Sequence, residues 1–247
     1  MNQGATLCER LDWDSRFFGV SIARAVPSRV DRATRDAILD WCHAEDVDCL
    51  YFLADADADT MRVLEDAAFS RVDDRVTLEL EPIPPVSSPH ADTRAACESD
   101  IAALRNIAAV SHFDTRFYYD RHFDRERCDE LYRIWIEKSC QGWADHVVVV
   151  ERNGNAIGYL TVHLNEPDAA SIGLVGVDPA YRRHGIGGRL MDGALAWIAG
   201  RSVTRVRSAT QERNAASKGF FQKAGFRLTG RAIWYHRWFS SSTGVAS

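Results

Sequence analysis

The chain has 247 residues, 46% hydrophobic and 26% charged, a composition of soluble globular proteins with length for one large core or two smaller ones. Its 30 Lys and Arg against 35 Asp and Glu give a formal charge of −5 with no long block of like charge, which disfavours nucleic acid or an anionic membrane as the main partner. Six cysteines without a Cys-x-x-Cys pair read as reduced thiols, and the eight histidines show no His-x-x-x-His, so no metal site is expected. The first twenty residues carry acidic groups and no apolar run, and no later window approaches a membrane-spanning length, so a cytoplasmic location is expected.

Residues 7–85 show a β-α-β-α-β order: a strand at Ser21–Val26, a helix at Asp31–Asp46, a strand at Cys49–Ala54, a helix near Thr60–Ala68 and a strand at Arg75–Glu81. Four of the seven prolines then fall between Pro82 and Pro89, a stretch that cannot hold a helix or a central strand. It separates an N-terminal α/β domain, residues 1–84, from a second domain, residues 90–247.

In the second domain Ser99–Phe113 and Arg125–Gln141 read as helices, the latter with Leu131, Ile134, Trp135 and Lys138 at three- and four-residue steps. His146–Glu151 and Ala156–His163 are predicted to form a hairpin about Asn153-Gly154, and a strand at Ala170–Val177 follows. A helix at Gly187–Gly200, a strand at Thr204–Ala209, a helix at Asn214–Ala224 and a terminal hairpin, Arg227–Thr229 with Ala232–Phe239, complete the chain.

Chemistry concentrates where the strand ending at Val177 gives way to a helix inside a glycine cluster. Gly185, Gly187 and Gly188 remove side chains where the backbone must turn, so the first N–H groups of the helix can converge on an anion at the positive end of its dipole. Arg182, Arg183, His184 and Arg189 add charge and donors around the same turn, matching a pyrophosphate in size and sign. A dinucleotide-binding Gly-x-Gly-x-x-Gly is absent, and no Gly-Lys-Ser/Thr marks a P-loop. Glycine and arginine closing a βα turn would account for Gly-x-Gly alone.

The run Arg182-Arg183-His184-Gly185-Ile186-Gly187, preceded by Val177-Asp178-Pro179, resembles the Arg/Gln-x-x-Gly-x-Gly/Ala signature of GCN5-related N-acetyltransferases. Asn214 to Gly225-Phe226 is similar to the second motif of that family, an Asn that opens a helix ending in Gly-Phe. The resemblance implies an acyl-CoA N-acyltransferase fold, in which a mixed central sheet with splayed strands binds acetyl-CoA, beside a smaller, degenerate N-terminal α/β half. It also implies main-chain contacts to the pantetheine arm and acetyl group from Leu174, Val175, Gly176 and Val177, with Gly176 suited to a bulge. Phosphate contacts are implied for Arg182 through Gly188, Ile186 included, and pantetheine contacts for Asn214 and Phe221. A backbone N–H near Val175 would polarise the thioester carbonyl.

A finer resemblance runs through Leu11–Gly19, Ser111–Tyr118, Leu131–Ser139, Ala209–Asn214 and Ala232–Arg237, which look like the dTDP-fucosamine acetyltransferases of surface-polysaccharide synthesis. It implies an amino-sugar nucleotide as acceptor, with the Trp13/Phe17/Phe18 and Phe113/Phe117/Tyr118/Tyr119 clusters as candidates for covering it, although aromatic clusters also build cores. Members of the wider family usually protonate the departing thiolate with a Tyr seven residues after the helix-opening Asn; here that residue is Phe221. Candidate replacements are Tyr235, then His236, then Glu212, with His163 and Glu166 in the same half, or solvent or the substrate itself. Pairing into a homodimer through sheet edges is a further implication. Another small-molecule amine or a protein N-terminus as acceptor, and a non-catalytic acyl-CoA-binding module, are the alternatives.

Overall fold

A computed structural model describes residues 6–85 and 90–239, so residues 86–89 of the proline-rich segment, Pro89 among them, lie outside the described residues. In chain order the elements are β1 (Cys8–Arg10), α1 (Asp12–Phe18), β2 (Ile22–Ala25), α2 (Arg32–Ala44), β3 (Cys49–Asp55), α3 (Ala58–Glu65) and β4 (Ser70–Leu80). They continue with β5 (Thr93–Ala95), α4 (Ile101–Ala109), α5 (Arg116–Tyr119), α6 (Arg125–Lys138), β6 (His146–Arg152), β7 (Asn155–Glu166) and β8 (Ala169–Val177). Last come α7 (Ile186–Ala199), β9 (Arg205–Gln211), α8 (Ala215–Lys223) and β10 (Arg227–Trp238). Among the described residues no helix is long and apolar enough to cross a membrane.

Two compact units share the chain. The first takes the chain up to Arg75, residues 119–123 and the chain from Arg231 on; the second takes Val76–Tyr118 and Asp124–Gly230. These units depart from a division by chain order at residues 84–90, because the last strand returns to pair with β3. The anticipated terminal hairpin is therefore corrected: Gly230 lies within one continuous strand, β10, whose residues Ala232–Trp238 run antiparallel to Asp55–Cys49. β1, α1, α5 and β5, each seven residues or fewer, carry too few periods for the sequence pattern to reveal them.

In the first unit β1–β2–β3–β10 form a mixed sheet, with β2 and β3 parallel and the outer pairs antiparallel. One face packs Ile38 and Cys42 of α2 and Leu64 of α3 against Leu50, Phe52, Ile233 and Tyr235. Alternation along β10 sends His236 and Trp238 the other way, where they meet Asp120. That carboxylate is 5% exposed and accepts from His236 Nδ1 at 2.7 Å, Trp238 Nε1 at 2.7 Å and both the backbone N–H and Nδ1 of His122, at 3.0 and 2.7 Å. Burial alone would raise the Asp120 carboxyl, but these donors overcome it and hold the group well below the usual carboxylate range.

In the second unit the order is β4–β9–β8–β7–β6–β5. β5 through β8 are antiparallel neighbours, whereas β8 and β9 run parallel and are joined by α7. Leu190, Met191, Ala194, Leu195 and Ile198 recur on one stripe of α7 and close over Val148, Val150, Leu160 and Val162. Gly193 lets α7 approach this closely: a Cβ there would lie 2.6 Å from Thr93 Cγ2 and 2.9 Å from Val148 Cγ1. α4 packs on β7 and β8, and α6 packs on α4.

Because the Asp120 carboxyl ionises more readily in the folded than in the unfolded state, it contributes stability above the unfolded carboxyl pKa of about 3.9, and that contribution fades as pH falls. Asp120→Ala is expected to cost about 2–4 kcal/mol at neutral pH, with the deficit shrinking below about pH 4. Urea unfolding of both proteins across pH, followed by tryptophan fluorescence, measures this; a pH-independent deficit would show that the charged form of Asp120 is not what stabilises the unit.

Candidate active site

β8 and β9 pair only from Ala169–Ile172 against Arg205–Ser208, and the pairing ends with the Ser208 hydroxyl donating to the Ile172 carbonyl at 3.1 Å. Beyond this point β8 keeps β7 as its neighbour on one edge and presents an unpartnered edge on the other. Its register against β7 jumps from Leu160↔Val175 to Val162↔Ile172, which places an extra residue at Gly173–Leu174. The displaced Leu174 N–H donates to Thr161 Oγ1 at 2.8 Å. The bulge thus falls at Gly173–Leu174 and not at Gly176. Gly176 is required for another reason, since a Cβ there would stand 2.6 Å from the ring of Tyr159.

The gap opens into a cavity of about 850 Å³ that lies wholly within the second unit. Leu174, Val175 and Val177 form one wall and Ser208 through Gln211 of β9 another. The glycine turn closes one end: Arg183 and Gly185 take left-handed backbone angles, with φ of 65° and 75°, and Gly185 caps α7 with no side-chain hydrogen bond. The first N–H groups of this fourteen-residue helix are therefore left for a ligand. Asn214, α8 and Phe221 complete that side.

The cations of the turn divide by role. Arg182 donates to the carbonyls of Val177 and Val110 at 3.1 and 3.2 Å and so ties the turn to the end of α4. Arg189 is bonded to Asp92, and His184 Nδ1 lies 2.9 Å from the Arg182 carbonyl. Arg183 and Lys223 line the cavity with no ion-pair partner among the described residues, which leaves them to meet an anion. An extended carrier with a pyrophosphate fits this set: helix N–H groups and Arg183 at the glycine turn, a second cation in the lining, and a strand edge along the slot.

Of the residues singled out on the sequence for coenzyme contact, Leu174, Val175, Val177, Arg182, Arg183, Gly185, Ile186, Gly187, Gly188, Asn214 and Phe221 line the cavity, whereas Gly176 and His184 do not. The Asn214 side chain caps α8 by accepting from Ser217 N–H at 2.9 Å. None of the three candidate acids lines it. Tyr235 is fully buried in the first unit and donates to Glu65 at 2.9 Å, because alternation along β10 turns it into the core. His236 is fully buried on Asp120, and Glu212 pairs with Lys218 at 3.1 Å. Glu166 is held by Arg205 and Arg207, and His163 packs against Gly173.

The sequence model of the Acetyltransferase (GNAT) family matches residues 103–226, which hold the slot, the glycine turn and α8. The chain belongs to the GNAT acetyltransferase family. It is 31% identical over 233 residues to dTDP-fucosamine acetyltransferase of Escherichia coli, an alignment covering 93% of this chain and 97% of the relative. It is 26% identical over 147 residues to the spore coat polysaccharide biosynthesis protein SpsD of Bacillus subtilis, covering 60% of this chain and 48% of that protein. Among solved structures, a GCN5-related N-acetyltransferase from Sphaerobacter thermophilus superposes with a TM-score of 0.63 at 16% identity, covering 94% of this chain and 76% of that one.

This GNAT enzyme is an acyltransferase, and the family uses acetyl-CoA. Its cavity has a further wall, formed by Ser111, His112, Phe113 and Asp114 after α4 and by Tyr132 and Trp135 of α6; of these the sequence pointed to Phe113 and not to the others. Asp114 accepts from Arg213 Nε at 2.6 Å, fastening the loop after α4 to the approach of α8. His112 Nε2 lies 2.9 Å from the Tyr159 hydroxyl, and its ring stacks on Tyr132 at 4.7 Å. The motif Ser111–Tyr118 held the signal, but its aromatic residues drew attention away from the histidine among them.

Gly188→Glu tests the anion site without disturbing packing, because a Cβ at Gly188 meets nothing within 4 Å. CoA affinity, measured by titration calorimetry, is expected to fall about 100-fold or more as a carboxylate occupies the positive helix end, with an unchanged circular dichroism spectrum. Wild-type affinity in this variant would remove the glycine turn as the phosphate site.

Proposed function

We propose that this enzyme transfers the acetyl group of acetyl-CoA to the amine of a nucleotide-linked amino-dideoxy sugar, with a dTDP sugar as the first candidate. The observation that carries this reading is the continuity of one cavity from the glycine turn, along the open edge of β8, to an aromatic wall at Phe113, Tyr132 and Trp135. Aromatic faces suit a nucleobase or the apolar side of a deoxysugar. Asp114 is the one carboxylate in the described lining, and it is already paired with Arg213. A strongly cationic acceptor would call for an acidic approach instead. The near full-length relative, a dTDP-fucosamine acetyltransferase, and the spore coat polysaccharide protein both support a sugar acceptor.

In this reading the residues divide the work. Helix N–H groups of the turn, with Arg183 and Lys223, hold the pyrophosphate, while the unpartnered edge of β8 beyond Ile172 supplies N–H and C=O groups to the pantetheine arm. A main-chain N–H near Val175 polarises the thioester carbonyl. The amine reaches that carbonyl from the side of His112 and Tyr132. The acceptor must arrive as a free base, since an ammonium has no lone pair to attack with.

Thiol release from acetyl-CoA in the presence of a panel of dTDP- and UDP-amino sugars tests the acceptor. Turnover is expected with at least one nucleotide-linked amino sugar and to fall strongly when the nucleotide is removed. Turnover with amino acids, amino-sugar antibiotics or peptide N-termini but with no sugar nucleotide would overturn the assignment.

A further inference from the structure

The residue at the family's usual thiolate-acid position, Phe221, is 3% exposed and packed on Phe220 and Phe226 at ring distances of 4.9 and 5.2 Å. It has no proton or polar hydrogen to offer the departing sulfur. Among the protonatable side chains of the cavity wall, Asp114 is committed to Arg213, and the Tyr132 hydroxyl donates to Thr115 Oγ1 at 2.8 Å. Tyr181 lies past the end of β8, beneath the Arg152 guanidinium. His112 is placed differently.

The tautomer of His112 follows from its neighbour. Tyr159 is fully buried, and a buried hydroxyl that donates to nothing carries a substantial penalty. Its partner among the described residues is His112 Nε2, at 2.9 Å. The phenol must therefore donate to Nε2, which leaves Nε2 without a proton and puts the one hydrogen of the neutral imidazole on Nδ1. Nδ1 has no partner among the described residues, and the ring lines the cavity. Stacking on Tyr132, with an interplanar angle of 20°, fixes the ring plane.

Register brings this donor to the reacting segment. Tyr159 stands opposite Gly176 on β8, with its ring filling the space where a Cβ of Gly176 would lie. Burial pushes the His112 imidazolium down to about 4, so the ring is neutral at physiological pH, and burial raises Tyr159, so the phenol keeps its proton. Among the described residues the aromatic rings set against His112 are those of Tyr132 and Tyr159, both phenols.

We propose that His112 is a catalytic residue of this enzyme, its neutral Nδ1–H serving as a fixed hydrogen-bond donor to the sulfur as the carbon–sulfur bond breaks, with Tyr159 as the positioning residue that holds the tautomer. The proposal rests on acetyl transfer to an amine and is indifferent to which amine. The step balances without an external acid. The amine lone pair forms the new carbon–nitrogen bond, the carbon–sulfur pair leaves with sulfur, and the proton shed by nitrogen ends on sulfur, giving an amide and a thiol. His112 exchanges no net proton and lowers the cost of the negative charge in transit.

Two sets of measurements test it. Nitrogen-15 NMR of the imidazole is expected to show Nδ1 protonated and Nε2 bare between pH 6 and 8 in wild type, and a shift toward the other tautomer in Tyr159→Phe. Kinetically, His112→Ala is expected to lower kcat about 100-fold or more with CoA affinity by calorimetry unchanged. His112→Asn, whose amide N–H₂ lies near the Nδ1 position, should recover a good part of that loss. An Nε2-protonated ring in wild type, a kcat in His112→Ala within threefold of wild type, or equal rates for the Ala and Asn variants would each overturn the proposal. If no sugar nucleotide is turned over, the acceptor assignment fails, while the tautomer measurement still decides the role of His112.

Discussion

Everything distinctive about this enzyme's cavity follows from one broken ladder. β8 and β9 are parallel partners for four residues and then separate, and from Ile172 onward one edge of β8 has lost its strand. A strand edge without a partner is costly when buried and useful when a ligand supplies the missing hydrogen bonds. The bulge at Gly173–Leu174 re-aims β8 as it leaves β9, and Thr161, fully buried on β7, satisfies the N–H that the bulge displaces. The separation is thus stabilised from the β7 side, and the edge of β8 that faces away from β7 stays open to the cavity.

Glycines around this edge serve distinct ends. Gly185 allows the left-handed entry to α7, while Gly173 and Gly176 make room for side chains that rise from β7 beneath them, His163 with Thr161 in one case and Tyr159 in the other. Tyr159 therefore does more than fill space: its hydroxyl reaches His112 in the loop after α4, linking β7 to the wall that faces β8. Arg182 spans the same distance from the other direction, from the β8 terminus to the Val110 carbonyl. Two polar ties, one part-buried and one exposed, hold the loop after α4 against β7 and against the end of β8.

The slot and the glycine turn are legible in the sequence because they are local. A strand, a glycine turn and a helix start lie within some twenty consecutive residues, and eleven of the residues singled out there and at α8 line the cavity. The facing wall draws on the loop after α4 and on α6, and only folding brings His112 to Tyr159 of β7, 47 positions away. Choosing Tyr235 and His236 as acids had the same root. Both are protonatable and sit near a family motif, but period-2 alternation on β10 buries one in a hydrophobic core and the other on Asp120. Reading β10 as a hairpin hid that alternation, since a turn at Gly230 would have reset the phase.

The replacement of an acid by Phe221 need not weaken the enzyme if charge is handled elsewhere. A thiolate is a stable leaving group, with a parent thiol pKa near 8.5 for a cysteine-like sulfur, so its departure needs a hydrogen bond more than a full proton. A neutral donor held in a fixed tautomer meets that need without placing a second charge beside the amine, which an imidazolium would do. Repulsion of that kind would disfavour the cationic nitrogen formed on attack, because like charges within a few ångströms oppose each other strongly in a dry cavity. The tilted and edge-on cluster of Phe220, Phe221 and Phe226 keeps the position at Phe221 apolar. Beside these apolar rings, the hydrogen bond proposed from His112 strengthens as negative charge grows on sulfur.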